Sequence, residues 1–276
     1  MAVLANSPGL LAALRGEKTP RFLATRSPEG EPNVVPCLSL LPDDDDQADI
    51  LFFGNFLLRK SITNLERDAR VGILVMTPEL HGWILTGDFL ELQRTGPYVE
   101  RQNSARMLRY NAYSGIRNAG LIRARSVEAA FTLSRLQVAK DFALARLAAL
   151  GGLPRGGTTH DRDGVRVPLP VRREFARMAA VKVLAWVRAD GYPFIVPALS
   201  LQPRGERELV GRWHDRLGTC PQPLPPTGAP VATNVLTAEA ISYQAKGRWE
   251  QSGKTGTIRV QGIYAGGPPI PGGRVA

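Results

Sequence analysis

Three adjacent side chains, Arg59, Lys60 and Ser61, carry the clearest chemistry in this sequence. They come after an apolar run, Ile50-Leu-Phe-Phe-Gly54, and a short connection, and they open a segment that continues as a helix ahead of the next apolar run at Val71. Two cations, a hydroxyl and the free N–H groups of a helix start together supply what a phosphomonoester needs, charge and directed donors. A lone Arg-Lys-Ser triplet beside a turn is more often simply solvated. Its weight therefore depends on the elements that position it.

Other groupings offer less. His81, His160 and His214 are isolated, without a second ligand at metal-like spacing. Cys37 and Cys220 stand far apart with no CxxC partner, which argues for reduced thiols rather than a disulfide framework or a zinc site. The acidic run Asp43 to Asp46 falls at an expected hairpin tip and reads as solvated. The sequence has no Gly-x-Ser-x-Gly elbow, Walker loop or dinucleotide fingerprint. No metal site is expected.

The chain has 276 residues, 43% of them hydrophobic, which suits two ordinary cores. Met1 to Leu11 lacks the basic-then-apolar order of a leader, and no stretch reaches the length of a membrane span, so a soluble cytoplasmic protein is expected. The net charge of +10 is uneven: residues 101 to 174 hold 14 Lys and Arg against 5 Asp and Glu, a net of +9. Such an Arg-rich middle could bind polyanions. Arginines on bridging helices more often form a solvated face, and no nucleic-acid-binding motif accompanies them, so the sequence argues against a nucleic-acid partner.

A repeat organises the rest. Pro32-Asn-Val-Val-Pro-Cys-Leu-Ser-Leu-Leu-Pro42 matches Pro193-Phe-Ile-Val-Pro-Ala-Leu-Ser-Leu-Gln-Pro203 at an offset of 161, and Gly87-Asp-Phe89 matches Gly247-Arg-Trp249 at 160. Unrelated hairpins would give matches at scattered offsets. One offset kept across the unit predicts two copies, each with a leading helix (Pro8 to Arg15; Val171 to Ala179), a hairpin with a Gly turn, further strands and a closing strand (Leu121 to Leu133; Thr257 to Tyr264). Helices are expected over Gly96 to Tyr113 and Leu133 to Leu150, and a linker over Gly151 to Asp163. The expected division is a first unit at 1–138, a linker at 139–165 and a second unit at 166–276.

The order Phe22-Leu-Ala-Thr, Gly30-Glu-Pro-Asn-Val-Val-Pro36, Leu51-Phe-Phe-Gly-Asn55, Lys60-Ser61-Ile-Thr-Asn64-Leu65, Ala69-Arg70-Val71 resembles the FMN-binding split barrels of the pyridoxamine 5′-phosphate oxidase-like family. The resemblance implies a mainly β protein with helices: two tandem split β-barrels forming an intrachain pseudo-dimer, with FMN in the groove between them. It implies that Lys60 and Ser61 hold the FMN phosphate with Arg59 as a third contact, and that Asn64 orders their turn. Val35, Pro36 and Cys37 would run along the isoalloxazine, and Gly54 and Asn55 would meet the ribityl chain. At offset 160, Arg59 and Lys60 fall on Thr219 and Cys220 in a proline-dense loop without cations, so one FMN per chain is expected. The second half would then serve as the opposite wall, with Trp213, Tyr243 and Trp249 as candidate wall aromatics.

The resemblance thus implies an FMN-dependent oxidoreductase acting on a small-molecule substrate. The catalytic residues and the substrate stay unnamed, because the family's substrate-side basic and histidine positions are not found here. The rival readings are a non-catalytic flavin- or haem-binding module, a deazaflavin-dependent reductase of the same barrel superfamily, and a polyanion-binding module using the Arg-rich middle. As a partner, a second copy of the tandem chain in a homodimer is the open option.

Overall fold

The structure is a computed structural model that describes residues 2–44, 48–56, 58–104, 116, 118–151, 164–267 and 272–276. Its elements fall into two series. The first comprises α1 (Pro8–Arg15), β1 (Arg21–Arg26), β2 (Pro32–Pro36), β3 (Leu41–Pro42), β4 (Ile50–Gly54), α2 (Arg59–Leu65), β5 (Arg70–Met76), β6 (His81–Gln93), α3 (Pro97–Ser104) and β7 (Ala119–Thr132). After α4 (Arg135–Leu150), the second comprises α5 (Leu169–Phe175), β8 (Val181–Val187), β9 (Pro193–Pro197), β10 (Gln202–Arg204), β11 (Glu208–Arg212), β12 (Arg216–Leu217), β13 (Cys220–Pro221), β14 (Pro230–Leu236), β15 (Ser242–Ser252) and β16 (Thr255–Ala265).

Each series contains one seven-stranded antiparallel sheet, and in the second series β12 and β13 pair separately as a two-stranded ribbon. The first has the order β2-β1-β5-β6-β7-β4-β3, and the second, read from its far edge, has β9-β8-β14-β15-β16-β11-β10, the same order. The likeness extends to single hydrogen bonds. Gly30 and Gly191 both turn their hairpins at φ 83°, a left-handed conformation that glycine adopts without a Cβ clash. The N–H of Cys37 donates to Arg21 O and that of Ala198 donates to Lys182 O, both at 2.7 Å. This is the pair of tandem split barrels that the sequence leads one to expect.

The strands of each hairpin are buried on both faces, which explains their unbroken apolar runs. In β1, Leu23 enters the first barrel's own core with Leu51, Phe53, Ile73 and Leu85. Phe22 and Ala24, pointing the other way, join the core of the second half beside Val183, Val196 and Trp186. Burying a side chain such as Phe22 contributes roughly 1.5–3 kcal/mol, so the two halves share hydrophobic stabilisation. They also approach closely at Gly72, where a Cβ would stand 2.2 Å from Pro193 O. Polar ties bridge the same seam: Tyr192 Oη donates to Asp88 Oδ1 at 2.8 Å, and Arg188 meets Glu128 at 3.0 Å.

Several local expectations are refined. The helix expected over Gly96 to Tyr113 is described as α3 up to Ser104; residues 105–115 lie outside the described residues, as do Asp45 and Asp46 of the acidic run and 152–163 of the linker, with His160. α4 crosses the expected boundary at 138 and packs on the second half, where Gln202 Nε2 donates to Phe142 O at 2.6 Å. Among the described residues no helix is long and apolar enough to cross a membrane.

Candidate functional site

α2 starts where β4 has run out at Gly54, and it lies along the hairpin of β1 and β2. Its inner face, Ser61, Ile62, Asn64 and Leu65, is buried. The outer face is polar, so the helix is fixed by one apolar flank. That packing sets Ser61, only 1% exposed, against Asn33 of β2, whose Nδ2 donates to Ser61 Oγ at 3.1 Å. One turn behind, Asn64 Nδ2 donates to Thr25 Oγ1 at 3.0 Å.

Ser61 and Lys60 border a crevice of about 440 Å³. From the first half it is walled by β2 and the residues after it, Val35, Pro36, Cys37, Leu38 and Ser39. The facing wall comes from the second half: Asn234 and Leu236 of β14, Ser242 and Gln244 of β15, and Tyr264 of β16. Hydrogen bonds join and brace the walls: Gln244 Nε2 donates across to Val34 O at 2.6 Å, and within the far wall Ser242 Oγ donates to Asn234 Oδ1 at 3.1 Å. Lys60 Nζ lies 4.7 Å from the centre of the Tyr264 ring, a cation–π contact between the halves.

Of the residues singled out in the sequence, Lys60, Ser61, Val35, Pro36 and Cys37 therefore meet in one place. The others stand apart from it. Arg59 is exposed at the first position of α2 and is not part of the crevice wall. Asn64 sits behind the helix, and Asn55 donates its N–H to Asn118 O at 2.9 Å. Gly54 faces Ile116 and Gln102 across the strand, although its N–H donates to Ser39 Oγ at 3.2 Å and so anchors one wall residue. Burial pushes the Cys37 thiol up to about 12, so it stays protonated and acts as a small apolar wall group.

The expected wall aromatics are corrected. Trp213 and Trp249 stack edge to face in the second core, ring centres 5.0 Å apart, where their large apolar faces are buried. Tyr243 packs against that core and is absent from the crevice wall. Tyr264 takes the role instead. Sequence reasoning also missed Asn33, Asn234, Ser242 and Gln244. Polar residues at every second position of β15 were the available signal.

A second cavity, of about 370 Å³, occupies the corresponding place in the other half, walled by Pro197, Ala198, Leu199 and Ser200, the counterparts of Pro36 to Ser39. Here the hairpin of β12 and β13 stands where α2 would be, and Cys220 spends its S–H on Ala130 O at 3.2 Å. α4 adds Gln137 and Asp141 to its wall, the latter bound to His214 Nε2 at 2.9 Å. Among the described residues no cluster of three His, Cys, Asp or Glu side chains could hold a metal.

Two split barrels back to back thus share a crevice with a Lys-Ser pair at its rim. Residues 10–140, which span the N-terminal barrel and the start of α4, match the family model described as Pyridoxamine 5′-phosphate oxidase. Among solved structures it is similar to an FMN-binding protein from Syntrophomonas wolfei (18% identity over 48% of this chain and 88% of the other, TM-score 0.38). It is also similar to HupZ from Group A Streptococcus (20% identity, covering 46% and 94%, TM-score 0.34). A pyridoxamine 5′-phosphate oxidase-related, FMN-binding protein from Nostoc punctiforme matches at 12% identity over 93% of this chain and 94% of its own, with a TM-score of 0.26. No curated protein matches the sequence.

Proposed function

We propose that this chain is a flavoprotein that holds one FMN in the crevice between its halves and serves as an oxidoreductase for a small-molecule substrate. The observation that carries this reading is the junction of Lys60 and Ser61 with an apolar crevice of about 440 Å³. That volume is in the range of small-molecule sites, roughly 300–1,000 Å³. A cation and a fixed hydroxyl at one end suit a phosphate, and Val35, Pro36 and Leu38 beyond them suit a flat apolar ring. When bound, FMN supplies hydride or electron transfer. The chain's own residues do the rest. Lys60 neutralises the phosphate, Asn33 keeps Ser61 aimed, and Gln244 ties the far wall to β2 and so keeps the slot narrow.

The stoichiometry rests on the contrast between the two cavities. The second has neither α2 nor its Lys-Ser pair, and its arginines, Arg212 and Arg216, already donate to Thr255 Oγ1 and Thr219 O, so one FMN per chain is the reading. We take the likeness of the halves as the product of an internal duplication, with units near 1–138 and 166–276. A deazaflavin would suit the same crevice through the same corner. Haem fits it less well: no histidine is among the wall residues, and the one sulfur, Cys37, is a thiol held protonated.

The test is the absorption spectrum and mass of the cofactor carried by the purified protein, and its loss in Lys60→Ala. A flavin spectrum at one per chain, bleached by NAD(P)H and abolished in a folded Lys60→Ala, supports the proposal. Undiminished occupancy in that variant would remove Lys60 from the phosphate site.

A further inference from the structure

The C-terminal half brings a cation of its own to this corner. Ser242 and Gln244 of β15 face the crevice, and Lys246 comes next on the same face of the strand by its two-residue alternation. Lys246 is only 7% exposed, yet its Nζ has no hydrogen-bond partner among the described residues. Its nearest carboxylate, Glu31 Oε2, is 3.7 Å away, beyond hydrogen-bond reach, on a side chain that is 55% exposed. Burial, and behind it the like charge of Lys60, push the Lys246 ammonium down to about 8 against the opposing pull of Glu31. A buried ammonium whose only carboxylate is a long, half-exposed ion pair is poorly compensated, and the like charge of Lys60 adds to the cost. A doubly charged anion between them would remove both penalties.

We propose that Lys246 is the second cation of a phosphomonoester site built across the two halves, with Lys60 and Ser61 on one side of the anion and Lys246 on the other. This rests on the reading that the crevice holds a phosphorylated flavin, and it sharpens that reading by naming the charge class of the ligand. Two ammonium groups match a monoester dianion better than a diester monoanion. The anion then fastens α2 of the first half to β15 of the second, so binding couples the two barrels as well as placing the ring.

The experiment compares the full chain, stripped of cofactor, as wild type, Lys246→Met and Lys246→Arg. Each is titrated with FMN and with riboflavin, which differ only in the phosphate, and each is heated with and without inorganic phosphate. Losing one charge-assisted contact should weaken FMN binding roughly 10- to 100-fold in Lys246→Met, leave riboflavin binding within about twofold of wild type, and remove the rise in Tm that phosphate gives the wild type. Lys246→Arg should keep most of the preference for FMN. An unchanged FMN-to-riboflavin ratio in Lys246→Met overturns the proposal, as does an equal loss for both ligands, which marks a structural role only. If Lys246→Met does not fold, Lys246→Gln takes its place with the same expectations. If the wild type binds neither flavin, the flavin reading fails by itself, and the phosphate-induced shift in Tm, present in wild type and absent in the variant, still decides the role of Lys246.

Discussion

Arg21 and Lys182 occupy one position in the two halves and do the same work: Arg21 Nη1 donates to Leu38 O at 2.6 Å, and Lys182 Nζ donates to Leu199 O at 3.1 Å. Both cations are buried, and each ties down the loop after the second strand of its hairpin. In the first half that loop walls the crevice, and in the second it walls the second cavity. Each loop is thus anchored by a hydrogen bond from a buried basic side chain behind it.

Lys182 should make the protein more stable in mild acid-to-base titration toward higher pH. Burial pushes its ammonium down to about 7 from the ordinary 10.5. Between those values the unfolded chain holds a proton that the fold has shed, so stability rises with pH across that window and falls back as pH drops toward 7. One such proton gives a slope of up to about 1.4 kcal/mol per pH unit. Lys182→Met should flatten the rise, most visibly above pH 8, in denaturant unfolding measured from pH 7 to 9.5. An identical slope in the variant would show that Lys182 is not the group titrating.

Gly72→Ala tests the seam between the halves. The added methyl would meet Pro193 O at 2.2 Å and Pro193 C at 2.9 Å, both backbone atoms that cannot rotate away. Overpacking of this kind costs typically about 1–3 kcal/mol. Gly151→Ala, whose Cβ would meet nothing nearer than 3.4 Å, is the comparison and should be close to neutral. Equal melting temperatures for the two variants would mean the seam relaxes freely.

Asn33→Ala asks how far Ser61 depends on its holder. The 3.1 Å bond from Asn33 fixes the Ser61 hydroxyl, so its loss should weaken FMN binding by about tenfold or less, a smaller effect than that of Lys60→Ala, with riboflavin binding little changed. Isothermal titration of both ligands gives the answer. An Asn33→Ala effect as large as that of Lys60→Ala would mean that β2 itself has moved.

FMN binding should weaken as pH rises above about 8. Lys246 must carry its proton to meet the phosphate, and its ammonium is held down to about 8, with Lys60 and Glu31 as its charged neighbours and the Tyr264 ring against Lys60. Riboflavin has no phosphate and should show no such fall. Fluorescence titrations from pH 6.5 to 9.5 check this; parallel curves for the two flavins would contradict it.

Local chemistry made much of the fold legible. The hairpins announced themselves through apolar runs broken at Gly30 and Gly191, and α2 was placed by the Lys60-Ser61 pair that opens it. The near wall of the crevice came with them, since Val35 to Cys37 continue the same hairpin. The far wall did not. Ser242, Gln244 and Lys246 come from a strand about 200 residues away in the chain, and only the packing of one barrel on the other tells them from polar residues facing water. The tryptophans misled for a related reason: an indole suits a core as well as a groove, and only the registers of β11, β15 and β16 put Trp213 against Trp249.

A groove shared by two copies of a single chain is tied to its twofold axis, so every substitution appears on both sides and in both grooves at once. Here the cradle at Ser61 and the facing surface at Gln244 belong to separate codons. The facing surface is free to drift while the cradle stays as it is, and the second cavity, which lacks α2 and takes wall residues from α4 instead, can diverge from the first.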